Sequence, residues 1–210
     1  MSEFVEGNYE DKYNSKNPIS RLLMNNFLKS VTELLKTTDL KTTSSIAEVG
    51  VGEGELLKNI IKIFPKAKYS ATDLSKRKVK EAENNLKKNM INFSVQNAEK
   101  LSKYRDNEFD LVICCEVLEH VKNYKKALKE LRRISDKYIL LSVPNEPVWR
   151  VLNMARGKYL SKFGNTPGHI NHWNMISFEK LVKSEKFLII DKKYPLPWQM
   201  MLLKVIEDQR

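Results

Sequence analysis

The stretch Ile46-Ala-Glu-Val-Gly-Val-Gly-Glu-Gly54 constrains this chain more than any other, because a short β-branched run passes directly into three glycines and then into helix formers. The pattern reads as strand, tight turn, helix. Gly50, Gly52 and Gly54 leave one side of the turn without Cβ atoms, so its backbone is free to take positive φ and to come within contact distance of a ligand. The helix that the sequence starts near Glu53 points its unpaired N–H groups at the same place, which suits an anion or a carboxylate. Spacing narrows the ligand. No Gly-Lys-Ser/Thr follows, which argues against a P-loop, and Glu55 stands where the dinucleotide fingerprint places its third glycine.

With Glu48 two residues ahead of the first glycine, E-V-G-V-G-E-G resembles the first motif of class I S-adenosylmethionine-dependent methyltransferases, among which it is similar to the type 11 and ubiquinone-pathway members. The resemblance implies S-adenosylmethionine as cofactor, held at Glu48, Gly50, Gly52 and Gly54. It also implies an α/β fold: a Rossmann-like, doubly wound sheet of seven strands with the last antiparallel. An N-terminal helical lid over 1–40, a cofactor-binding domain over 41–210 and a substrate-covering insertion after the fifth strand complete that expectation.

A chain of 210 residues suits one domain with a single core. The net charge of +11 admits RNA as a partner beside a small molecule, although lysine is spread along the whole chain. Cys114 and Cys115 are adjacent in a strand-like run, so an internal disulfide is not expected and a reducing cytoplasm is. There is no apolar run of about 18 residues and no apolar N-terminal signal region, so neither a membrane span nor secretion is expected.

In chain order, Pro18 suits a helix start, and Ile19, Leu22, Leu23, Phe27 and Val31 keep a helical period. In the resembled family a helix here covers the cofactor, which makes Arg21 a candidate for its carboxylate. Leu56, Leu57, Ile60, Ile61 and Phe64 give the next helix one apolar face, closed by Pro65. Lys68–Asp73 reads as a strand whose terminal Asp73, with Leu74 beside it, stands where an acidic side chain accepts both ribose hydroxyls of an adenosine. A lysine-rich helix over 75–89 and a strand over 91–95 follow. Gln96-Asn-Ala-Glu-Lys-Leu101 resembles the family's third motif, with Asn97 and Ala98 at the adenine; an Asp is usual at 97, and the amide lacks its charge. Phe109–Cys115 reads as a buried central strand, and Glu116-Val-Leu-Glu-His-Val121 resembles the fourth motif, setting Cys115 and Glu116 at the methionyl end.

Further along, Leu128, Leu131 and Ile134 mark an amphipathic helix, and Tyr138–Val143 reads as a strand stopped by Pro144. The chain from 144 to 172 reads as an irregular or partly helical insertion, of the length that usually carries function. A helix over 175–186 and strands over 187–190 and 200–206 end the tally.

The chemistry implied is displacement of a sulfonium methyl onto an O or N nucleophile, with the protein aligning the acceptor and taking its proton. His120, His169 and His172 are the candidate bases. Tyr13, Asn145, Trp149 and Trp173 are the candidate acceptor contacts, and the acceptor is expected to be a small molecule. A second reading comes from Glu116, Glu119, His120 and His169. This grouping is similar to that of small-RNA 3′-terminal 2′-O-methyltransferases, whose E-x-x-E-H and later histidine hold a divalent metal against ribose hydroxyls. A third reading is a protein that binds S-adenosylmethionine without turning it over.

Overall fold

The computed structural model describes residues 17–205. Seven strands form in it: β1 (Ser45–Val49), β2 (Lys68–Asp73), β3 (Ile91–Val95), β4 (Phe109–Cys115), β5 (Ser135–Pro144), β6 (Phe187–Lys193) and β7 (Trp198–Val205). They make one sheet in the order β3-β2-β1-β4-β5-β7-β6. The first five are mutually parallel, and β7 runs antiparallel to both β5 and β6. The chain therefore starts in the middle of the sheet, winds outward to β3, returns beside β1 as β4 and proceeds to the other edge. That reversal leaves a crevice outside the carboxyl ends of β1 and β4, where open α/β sheets bind ligands. The expected seven-stranded sheet with an antiparallel last strand is the one observed.

Helices cover both faces: α1 (Pro18–Leu35), α2 (Glu55–Ile63), α3 (Lys76–Leu86), α4 (Tyr124–Ile134), α5 (Glu146–Ala155) and α6 (Met175–Ser184). Four of them begin at a side-chain cap. Asn17 accepts from the Ile19 amide at 2.8 Å ahead of Pro18, Ser75 and Asn123 cap α3 and α4, and Asn174 forms a reciprocal capping box with Ser177. One core lies under α1, α2 and α3, built from Phe27, Leu34, Leu57, Ile60, Leu111 and Leu140 among others. The second lies under α4 and α6, with Val112, Leu128, Leu131, Phe178 and Leu203. Central strands face both cores, so they read as continuous apolar runs.

Several boundaries differ from the sequence reading, among them the start of the last strand, which is Trp198, and the end of α3, which is Leu86. The turn runs two residues further, to α2 at Glu55. β5 starts at Ser135, ahead of the charged pair Asp136-Lys137, and β6 extends through the charged residues to Lys193. The stretch after β5 holds a regular helix at its head, because Pro147 sits in the first turn, where a missing N–H costs nothing. As for the expected lid, Tyr13 and residues 1–16 lie outside the described residues. The described helix α1 buries Met24, Phe27, Val31, Leu34 and Leu35, so it forms an integral layer on the sheet.

Candidate functional site

The three glycines of the turn do three different jobs. A Cβ on Gly50 would strike Val117, and one on Gly54 would come within 2.8 Å of Leu86, so these two let β4's following loop and α3 close on the turn. Gly52, at φ +53, meets nothing within 4 Å and faces open space. It leaves room for a ligand to come against the backbone. The amides of Gly50 and Val51 donate to the Thr72 carbonyl at 2.7 and 3.0 Å, and the Asp73 carboxylate accepts from the Gly52 amide at 3.0 Å and from the Ser75 amide at 2.9 Å. Asp73 thus ties the glycine turn to the end of β2 while keeping acceptor capacity on both oxygens. Leu74 beside it is exposed.

Two residues in this region escape sequence reasoning. Lys78, in the first turn of α3, is 2% exposed and bonds Glu53 Oε1 at 2.9 Å while pairing with Glu81 Oε2 at 2.8 Å. Asn85 of the same helix donates to the Glu53 carbonyl at 2.9 Å. Glu53, in the middle of G-E-G, is held by α3 through both side chain and main chain. Glu48 on β1 is 3% exposed; burial above all, and then the neighbouring Asp73 carboxylate, pushes its carboxyl well above the usual range, against a bond from the Leu57 amide.

Around the rest of the crevice, the Asn97 side chain accepts from the Glu99 amide at 2.9 Å in a local turn, and Ala98 packs into the core under α4. Arg21 is exposed and lines a cavity of about 370 Å³ with Pro18, Leu22, Asn25, Glu55 and Asn59, between α1 and the start of α2. Burial raises the thiols of Cys114 and Cys115, which removes both as thiolate nucleophiles at neutral pH. Glu116 takes φ +59 and directs its carboxylate to Ser142 Oγ at 3.0 Å and Trp198 Nε1 at 2.7 Å.

That direction changes the histidine grouping. Glu119, His120 and His169 bring ligand atoms within 4.8 Å of one another, whereas Glu116 is not among them because its carboxylate is taken up by β5 and β7. His120 Nδ1 lies 2.9 Å from the Gly168 carbonyl, which can only accept, so Nδ1 carries the proton and Nε2 keeps its lone pair, 3.9 Å from Glu119 Oε1. His169 Nδ1 lies 2.7 Å from Glu146 Oε1 with both side chains buried. The carboxylate fixes the same tautomer there. Both imidazoles therefore turn an unprotonated Nε2 away from their anchoring oxygens. Glu146 is a further site residue that sequence reasoning did not find.

His172 is exposed and its Nε2 bonds Asn165 Oδ1 at 2.9 Å; desolvation foremost, with Arg150 and His169 adding to it against Glu146, holds its pKa below the ordinary value. Trp149 stacks on His169 at 6.0 Å between ring centroids, donates from Nε1 to Thr166 Oγ1 at 2.7 Å, and tilts on Trp198, which meets Phe27 edge to face. An aromatic wall thus runs from His120 through His169, Trp149 and Trp198 to α1. Asn145 stands at the N-cap position of α5, without a side-chain cap bond, and pairs as a bridge with Trp173. Trp173 does not belong to the acceptor wall. It is 7% exposed, packs on Tyr124 and Phe178, and sits in the core under α4 and α6, because the bridge to Asn145 draws it beneath the sheet edge.

Residues 47–137 match a family model described as methyltransferase domain. A protein of Methanocaldococcus jannaschii assigned as a methyltransferase is 30% identical over 101 residues, 46% of this chain and 37% of that protein. A Bacillus subtilis protein with the same kind of assignment is 28% identical over 48% of this chain and 57% of its own length. The chain thus matches between about a third and somewhat over half of these relatives. Among solved structures, magnesium protoporphyrin IX methyltransferase of Synechocystis with bound S-adenosylhomocysteine superimposes with a TM-score of 0.71 at 18% identity, covering 93% of this chain and 91% of that one. At that identity the likeness is one of fold.

Proposed function

The chain carries a class I S-adenosylmethionine-dependent methyltransferase domain, and from that premise we propose that it transfers a methyl group to a hydroxyl or amine of a small-molecule acceptor. The observation that carries this reading is the buried Glu146–His169 pair at 2.7 Å, at the head of the insertion and against the aromatic face of Trp149. S-adenosylmethionine supplies the activated methyl carbon. Gly52 and Asp73 would hold it, the open side of the turn leaving room for it and the carboxylate keeping acceptor capacity for its ribose. Trp149 and His169 orient the acceptor. His169 Nε2 takes the acceptor's proton as the methyl is displaced, and Glu146 holds the imidazolium that forms, which avoids paying for a bare buried cation. His172, its pKa held low, stays a neutral hydrogen-bond partner at the rim.

Incubation with cofactor labelled in its methyl group, offered a metabolite extract and fractionated RNA in parallel, tests the reading. Label in a small molecule is expected, and label in RNA alone would replace it. Tight cofactor binding with label in neither would point to a non-catalytic binder.

A second reading, metal-assisted methylation of an RNA ribose, is favoured by the grouping of Glu119, His120 and His169. One carboxylate and two imidazoles, each imidazole anchored through Nδ1 by an oxygen, form a donor set suited to Mn²⁺, Fe²⁺, Co²⁺ or Zn²⁺ more than to Mg²⁺. Full activity after exhaustive chelation would remove it.

A further inference from the structure

The insertion after β5 also carries a surface that methyl transfer does not use. From Pro147 to Phe178 the chain has no Asp or Glu, while Arg150, Arg156, Lys158 and Lys162 fall within it. The same stretch exposes Val151, Met154, Leu160 and Phe163, the last being 77% open to solvent. Val151 and Met154 are one helical turn apart and share a face of α5.

The segment after α5 is folded back onto that helix. Asn153 Nδ2 donates to the Gly164 carbonyl at 2.8 Å, the Lys158 amide donates to the Asn153 carbonyl at 2.8 Å, and a Cβ on Gly164 would strike the Arg150 carbonyl. Phe163 is therefore one residue from a point of contact with the α5 backbone. It takes φ +48 and Tyr159 takes φ +55, a left-handed conformation that bulky side chains rarely adopt. The short helical turn Leu160–Lys162 between them is held in a shape that turns Leu160 and Phe163 outward.

We infer that this surface docks the protein on an anionic lipid bilayer, with Leu160 and Phe163 entering the acyl boundary and Arg156, Lys158 and Lys162 meeting headgroup phosphates, while Arg150 is paired with Glu146 at 3.4 Å. Exposed aliphatic tips within a cationic, acid-free stretch are the make-up of an interfacial anchor, since each part gains from one layer of the bilayer. An RNA backbone would engage the charges and leave Val151, Met154 and Leu160 in water. The inference concerns the surface alone and stands apart from the identity of the acceptor.

Sedimentation of the full chain with vesicles of phosphatidylglycerol and phosphatidylcholine, and with vesicles of phosphatidylcholine alone, tests it. Binding to the anionic vesicles is expected at low salt and should weaken as salt rises. Leu160→Asp with Phe163→Asp should lose about tenfold or more in partitioning. Lys158→Gln with Lys162→Gln should lose about fivefold per charge. Melting curves of the variants confirm that they fold, and Phe163→Trp should keep binding. Absence of binding to anionic vesicles overturns the inference, as does equal binding to both vesicle types or binding that the Asp variants retain. Capture of RNA or a protein through the same residues without vesicle binding would overturn it in that partner's favour.

Discussion

At the scale of single residues, two buried acids, Glu48 and Glu146, carry the sharpest tests. Glu48 has its carboxyl raised by burial and by Asp73. A carboxyl raised by folding contributes stability that is present below its unfolded value and lost as pH rises through the folded one. Glu48→Gln should therefore melt higher than the parent at alkaline pH, with the gap closing toward pH 5; a gap independent of pH, measured by thermal unfolding across that range, would mean that the carboxyl titrates alike in the folded and unfolded protein and that burial does not raise it. In the proposed transfer Glu146 acts through His169. His169→Gln should lower turnover by about 10²–10⁴ with little change in cofactor affinity by calorimetry, as expected for loss of a general base. Glu146→Gln should lose less and shift the pH–rate profile, because the imidazolium is then less well held. Equal losses of turnover and cofactor binding in both variants would make the pair structural.

At the scale of elements, legibility in the sequence tracked how local the cause was. The strand-turn-helix over 46–63 was readable because β-branched residues, glycines and a 3.6-residue apolar period all lie within it. The strand order came only from resemblance, since no local pattern says that β7 lies between β5 and β6. Glu146 was hidden because an acid in a first helical turn has a sufficient local explanation in the helix dipole, while its partner is His169 across the insertion. Trp173 misled for the converse reason: an aromatic in a stretch of Gly, Pro and His reads as exposed, and its burial is decided by pairing with Asn145. The clamp of α3 on the glycine turn was equally invisible, a lysine in a lysine-rich helix looking solvated. Lys78→Met leaves Glu53 and Glu81 without their shared cation and should cost about 1–3 kcal/mol of stability. At temperatures where the variant stays folded, its KM for the cofactor should rise while kcat at saturation holds, and Lys78→Arg should recover most of the loss. An unchanged KM would show that the turn keeps its shape without α3.

For the whole molecule, the position of the crevice makes the cofactor a structural link as well as a reactant. On the proposed reading it lies where the two halves of the winding part, with Gly52 and Asp73 on the β1–β2 side and Cys115 and Glu116 at the end of β4. Among the described residues no helix is long and apolar enough to cross a membrane. A ligand that binds only the native state adds RT ln(1 + [L]/Kd), about 2.7 kcal/mol at a hundredfold excess over Kd. For a domain of this size that is a rise in Tm of roughly 5–10 °C. S-adenosylmethionine and S-adenosylhomocysteine should both produce it, because the adenosine and amino-acid ends make the contacts, and Gly52→Val should abolish it by filling the open face of the turn and straining a backbone at φ +53. A nicotinamide dinucleotide should leave Tm where it is, since Glu55 occupies the place of the fingerprint's third glycine, which lets helix and strand close around a dinucleotide. A shift with the dinucleotide and none with S-adenosylmethionine would reverse the assignment of the crevice and, with it, the reading of the Glu146–His169 pair as the base that serves a methyl transfer.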